Sequence, residues 1–172
     1  MNINNVKIIE IEWEGPFTME EVGTKNGSND FGLYMAYGHH RVYGENVLLY
    51  FGKAEQQKFS VRILQHLNDD WWGNESIYLG RLGGAESSIT FSEWDEQIDY
   101  TETKFIQYCL PSWNASKINS RKQYSFNEAI ILNNGVRLNS IPRVLCDWIF
   151  NISSFKNNLW KAYNNEMIEK SN

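Results

Sequence analysis

The chain reads as an α+β protein: a small, mainly antiparallel central sheet flanked by helices, with extra elements at the C-terminal end. Three observations predict this. Residues 6–13, VKIIEIEW, alternate apolar and charged side chains, the period-2 pattern of a half-buried strand. Residues 32–37 and 47–51 are short runs rich in aromatic and branched side chains, which also suit strands. Residues 56–67 and 93–109 instead place apolar side chains at helical spacing. Helices and strands follow one another without strict βαβ alternation, which separates α+β from α/β.

Taken in order, Thr18 followed by Glu20 and Glu21 marks a helix start with acidic residues in its first turn, and the helix ends near Gly23. Residues 25–30, KNGSND, form a loop by composition. GHHRVYGEN, 38–46, is a connecting loop with glycines toward both ends. In the helix over 56–67, Phe59, Ile63 and Leu67 make one stripe. Residues 69–74 break the pattern, and 76–82 form a third strand of this group. Ser92 serves as N-cap, with Glu93, Asp95 and Glu96 after it, for a helix that reaches about Cys109 and stops before Pro111. KINSRKQ, 117–123, is a basic loop. Residues 129–132 and 136–138 suggest a hairpin around Asn134-Gly135, followed by one or more helices from Pro142 to about Glu169.

The 172 residues suit one domain, long enough to bury a core. Seven Trp, nine Tyr and nine Phe argue against disorder, and three prolines with no low-complexity tract give no linker. Cys109 and Cys146 lack metal-type spacing and read as reduced, buried thiols. The N-terminus has no apolar core of a signal peptide, and no run approaches the ~18 apolar residues of a membrane span. A cytoplasmic protein without a membrane partner is therefore expected. The formal net charge of −5 counts against nucleic-acid binding, although a local basic patch can coexist with an acidic remainder.

Several polar residues stand where apolar ones belong. Glu102 shares a helix face with Trp94, Ile98, Phe105 and Cys109. A carboxylate there is costly unless it is paired, holds a metal or snorkels to solvent. Arg62 and His66 project one turn apart from the 56–67 helix, either as a functional pair or as a surface cation beside a satisfied core histidine. His39 and His40 are adjacent, so their side chains diverge and make a poor metal pair. Trp71 and Trp72 can stack on bases or belong to the core or its rim. Lys117, Arg121 and Lys122 form the best basic cluster, suited to phosphates or simply solvated.

The ordered set GLY at 32–34, YFG at 50–52 followed by Lys53-Ala54, then Arg62, His66, Glu102 and Asn114 resembles the GIY-YIG nuclease superfamily. Phe105, Ile106, Pro111 and Asn114 follow Glu102 at offsets similar to those of the family's later segment. The resemblance covers roughly 32–114. Residues 1–31 lie outside it as an N-terminal strand and helix extension, and 118–172 as a C-terminal hairpin and helices. The gap between the tyrosines is longer than in compact members, which makes HHRVYGEN an insertion.

The resemblance implies a divalent-metal-dependent endonuclease that hydrolyses DNA phosphodiester bonds. Glu102 would anchor Mg²⁺ (or Mn²⁺), since Mg²⁺ keeps several waters and takes other ligands from phosphate. Arg62 would offset charge on the scissile phosphate. The general base stays open among Tyr34, Tyr50 and His66, with Lys53 in support. Asn114 would orient the loop around Glu102, and Lys117, Arg121 and Lys122 would meet DNA. One site per chain favours a homodimer or successive nicks for cutting both strands. The alternative is a non-catalytic nucleic-acid- or protein-binding module that retains the fold.

Overall fold

The computed structural model describes residues 6–66, 74–83, 89–126, 128–138 and 140–146. In chain order they form β1 (Val6–Phe17), α1 (Met19–Gly23), β2 (Gly32–His40), β3 (Gly44–Ala54), α2 (Phe59–Gln65), β4 (Ser76–Leu82), α3 (Phe91–Cys109), β5 (Glu128–Gly135) and β6 (Val144–Cys146). The strands make one sheet in the order β3-β2-β4-β1-β5-β6. β1 and β5 pair in parallel, and every other neighbouring pair is antiparallel. The α+β class with a mainly antiparallel sheet therefore holds.

Residues 6–17 are no appendage to this sheet. β1 runs between β4 and β5, with Ile9, Ile11 and Trp13 buried on its inner face. Trp13 donates its indole N–H to Asn133 Oδ1 at 2.9 Å, which ties β1 to β5 through a buried bond. β2 is covered on both faces, so 32–37 is a continuous buried run instead of an alternating one. Leu33, Met35 and Tyr37 join Phe51 and the α3 residues Ile98, Phe105 and Ile106 in one core. Tyr34 and Ala36 face the other way, toward Met19 and Val22 of α1 and Phe59 and Ile63 of α2. Helices of five and seven residues have too few internal bonds to persist alone. Their fully buried side chains, at ~1.5–3 kcal/mol each, hold them to the sheet.

Several boundaries differ from expectation. The 38–46 stretch is mostly strand: β2 and β3 extend into it and pair His40 with Gly44 across a turn at 41–43. α2 begins at Phe59 instead of 56 and ends at Gln65; Leu67, the third residue of its predicted stripe, lies outside the described residues. Thr90, not Ser92, caps α3. Thr90 and Glu93 have the three-residue spacing that lets each side chain bond the other's backbone N–H, and Ser92 is already helical. Leu110 then closes the helix in the left-handed region (φ 48°), just before Pro111.

Asn134-Gly135 does not turn a hairpin. β5 runs straight through Asn134 to Gly135 in parallel register with β1, and its antiparallel partner is 144–146, not 136–138. Asn133 explains this: buried under Trp13, it also donates to Pro142 O at 2.9 Å and so draws the later segment alongside. Where the sequence predicts a helix from Pro142, residues 144–146 instead form a short strand; the remainder of that helix, and Trp71-Trp72, lie outside the described residues.

Candidate active site

Tyr34 and Tyr50 face the same side of the β2–β3 hairpin. Tyr34 pairs with Gly52 and Ala36 with Tyr50, so the tyrosines occupy one diagonal and two small residues the other. That exchange of size makes the arrangement possible. The rings stack at 5.8 Å, and a Cβ on Gly52 would lie 2.5 Å from Tyr50 Cε1 and 2.7 Å from the Tyr34 hydroxyl. His66, buried at the C-terminal end of α2, completes the cluster with Nε2 2.8 Å from Tyr34 Oη.

Both phenols resist ionisation. Burial pushes Tyr34 well above its ordinary pKa, and the neighbouring Tyr50 and Glu102 add to this while Arg62 opposes it. Tyr50 is raised by burial and by Glu102, with Arg62 and a hydrogen bond from Tyr34 pulling the other way. A standing phenolate is therefore disfavoured at both positions. Tyr34 has no solvent exposure, whereas Tyr50 is only partly buried, so Tyr50 is the phenol nearer to water.

An open cleft of about 450 Å³ lies where β3, α2, α3 and the following loop meet. Lys53, Glu55, Gln56, Gln57, Arg62, Glu102 and Lys117 line it. Arg62 contacts Gln65 Oε1 at 3.2 Å from its place on α2. Glu102 is 7% exposed, in the stretch of α3 from Gln97 to Thr103 that is buried all round. Burial raises its pKa, and Lys117 offsets this only in part. The Lys117 ammonium lies 2.5 Å from Glu102 Oε2 and 2.7 Å from Asp99 Oδ1.

Asp99 was not legible as a site residue, yet it organises this side of the cleft. Lys53 meets it at 3.0 Å, Lys117 and Lys122 at 2.7 Å each, and Tyr124 donates to it at 3.2 Å. Burial alone would raise its pKa, but the three lysines outweigh that and hold the carboxyl well below the usual range. Burial opposes the charge on Lys53 too, but Glu55 and Asp99 lift it to about 12. One signal was available: Asp95, Asp99 and Glu102 stand at i, i+4 and i+7, an acidic row on one side of α3.

Asn114 bonds β3 directly. Its side chain accepts from Phe51 N and donates to Phe51 O, both at 2.9 Å, on the side of β3 away from β2. It thus pins the loop after α3 beside the cleft. Of the basic cluster, Lys117 and Lys122 are engaged with Asp99, whereas Arg121 is exposed and does not line the cleft. His39 bonds Glu45 at 2.8 Å, and His40 Nδ1 accepts from the backbone of Val42 and Tyr43, so both belong to the β2–β3 turn. Cys109 and Cys146 are free thiols, each partly buried, and burial lifts Cys109 to about 12.

The fit of a divalent cation turns on Glu102. Among the described residues no three His, Cys, Asp or Glu side chains gather as a ligand group. Glu102 nevertheless already holds a cation, the Lys117 ammonium, on its Oε2, and both residues line the open cleft. One carboxylate with room for water and phosphate suits Mg²⁺ or Mn²⁺ if that ammonium yields. No helix among the described residues is long and apolar enough to cross a membrane. No family model, curated protein or solved structure matches the chain, so a functional reading must rest on the site itself.

Proposed function

We propose that the protein is a GIY-YIG-type endonuclease that hydrolyses DNA phosphodiester bonds with Mg²⁺ or Mn²⁺. One observation carries the reading: Tyr34 from β2, Tyr50 and Lys53 from β3, Arg62 and His66 from α2, and Glu102 from α3 gather at or directly behind one cleft. These residues lie as far as 68 positions apart in the sequence, from 34 to 102.

Lys53 and Arg62 line the cleft as fixed cations and would hold a phosphodiester by charge-assisted hydrogen bonds. Arg62 would also offset charge that grows on the phosphate oxygens during attack. A water beside Tyr50 would lose its proton along a relay. The Tyr34 hydroxyl first turns its proton from Tyr50 to His66. Tyr50 then passes its own proton to Tyr34 as it takes one from water, and Tyr34 passes its proton to His66 Nε2 at 2.8 Å. No phenolate need be present beforehand, which suits phenols whose ionisation burial opposes. His66 must then begin with Nε2 unprotonated. The hydroxide equivalent bonds to phosphorus as the bond to the 3′ oxygen breaks. Glu102 would hold the metal ion, which supplies Lewis-acid stabilisation of that leaving oxygen.

The second reading is a non-catalytic binding module of the same fold. The net charge of −5 and the ion pair that closes Lys117 over Glu102 favour it. One assay separates the two. Plasmid and single-stranded DNA are incubated with the protein and Mg²⁺ or Mn²⁺, beside Glu102→Ala and an EDTA control. The nuclease reading expects cleavage that Glu102→Ala and EDTA both abolish. Cleavage that survives either would refute the mechanism, and DNA bound but never cut would favour the binding module.

A further inference from the structure

A second depression of about 370 Å³ adjoins the cleft and shares Glu55, Gln56 and Gln57 with it. Among the described residues, Phe31, Lys58 and Phe91 line it as well. Phe91 is the first residue of α3, held by the Thr90–Glu93 capping box, yet 64% exposed. One face of its ring stacks on Trp94 at 5.9 Å and 21°. Trp94 in turn meets Phe31 edge-on at 5.0 Å, and Lys58 Nζ lies 5.2 Å from the Phe31 ring centre. An aromatic platform, a cation and two exposed glutamine amides therefore share one recess.

We propose that this recess takes an unpaired nucleobase of the strand being cut, which makes DNA with a single-stranded segment the preferred substrate. The inference rests on the nuclease reading of the adjoining cleft. Each part of the recess matches a part of a nucleotide. The free face of Phe91 offers stacking, which every base can use. Gln56 and Gln57 carry donors and acceptors suited to a base's Watson–Crick edge, which pairing in a duplex occupies. Lys58 supplies charge for the backbone, while Glu55, the acidic member of the rim, is already engaged by Lys53. The three shared residues span at most about 10 Å, so a base seated here belongs to a nucleotide close to a phosphate held by Lys53 and Arg62. A base within duplex is stacked and paired and cannot enter without being flipped.

The test uses the full chain in EDTA with two labelled probes, a single-stranded oligothymidylate and a blunt duplex of equal length, by fluorescence anisotropy at fixed salt. Phe91→Ala should weaken single-strand binding by about fivefold to a hundredfold and change duplex binding less than about twofold. Phe91→Tyr should restore it. Phe91 is exposed, so these variants are expected to melt as the wild type does, which a thermal scan checks. Equal loss on both probes, no loss on the single strand, or no DNA binding at all would overturn the subsite. Cleavage of the same probes with Mn²⁺ separates the two readings. Cutting that Phe91→Ala leaves intact, together with unchanged binding, removes the subsite alone. Binding that depends on Phe91, without cutting by any form, upholds the subsite and removes the nuclease reading.

Discussion

Replacing Lys117 by methionine should make the protein bind divalent metal more tightly. The Lys117 ammonium lies 2.5 Å from Glu102 Oε2, where a metal ion would rest, and metal entry must break that contact. A charge-assisted hydrogen bond of this type is worth about 1.5–3 kcal/mol, so its removal beforehand should tighten the metal Kd roughly tenfold to a hundredfold. The displaced ammonium retains its 2.7 Å contact with Asp99, which keeps the wild-type exchange feasible. Mn²⁺ titration without DNA, followed by electron paramagnetic resonance or calorimetry, measures this directly. The titration belongs near pH 8, because burial raises the Glu102 carboxyl and loss of Lys117 raises it further; the higher pH keeps it ionised. Lys117→Arg keeps a cation in place and should resemble the wild type, and Glu102→Gln should not bind at this position. A Lys117→Met protein with unchanged or weaker affinity would refute the reasoning, since the lysine would then help build the site instead of filling it.

Four other outcomes follow from the same geometry. Asn114→Ala strands both Phe51 backbone groups and should cost about 2–4 kcal/mol, a Tm loss of roughly 5–15 °C; Asn114→Asp, which still accepts but cannot donate, should fall between. Gly52→Ala drives a methyl between the two phenols and should cost about 1–3 kcal/mol by thermal melt, with DNA nicking reduced far more than that loss explains. Tyr34→Phe and His66→Gln should each slow cleavage about 10²–10⁴-fold, and the double variant should be little worse than either, as measured by single-turnover rates. Asp99 has a folded pKa below its unfolded value of about 3.9, so its stabilisation is present at neutral pH and is lost as pH falls below about 4. Asp99→Asn should therefore flatten the acid limb of the Tm–pH curve and lower stability at pH 7 by about 3 kcal/mol.

The parts of the site carried by local spacing were legible in the sequence. Two glycine–tyrosine triplets in strand-like runs, and Arg62 one turn from His66, describe a hairpin under a helix without any long-range information. Glu102 stood out because a carboxylate interrupted an apolar face. Asp99 escaped notice for the opposite reason. At i−3 from Glu102 it could pass for one more charge on a solvated helix side, and only the fold reveals three lysines around it, from β3 and the 117–122 loop. Lys117 was legible as basic but not as the partner of Glu102, since a contact across 15 residues depends on how the loop after Pro111 returns. The Asn134-Gly135 pair misled because its turn chemistry is local, whereas the buried Trp13–Asn133 bond joins residues 120 apart. Tertiary burial overrode the local preference there.

The loop after α3 has a consequence for assembly. Trp113 donates its backbone N–H to Leu49 O at 2.8 Å, and the Asn114 side chain takes both backbone groups of Phe51. Positions 49 and 51 are thus occupied where the terminal strand β3 would otherwise recruit a strand from another molecule. A second copy cannot extend the sheet there without breaking three hydrogen bonds beside the cleft. Under the proposed nuclease reading, two copies that cut opposite DNA strands would have to meet through other surfaces, and a chain that works alone would nick one strand at a time.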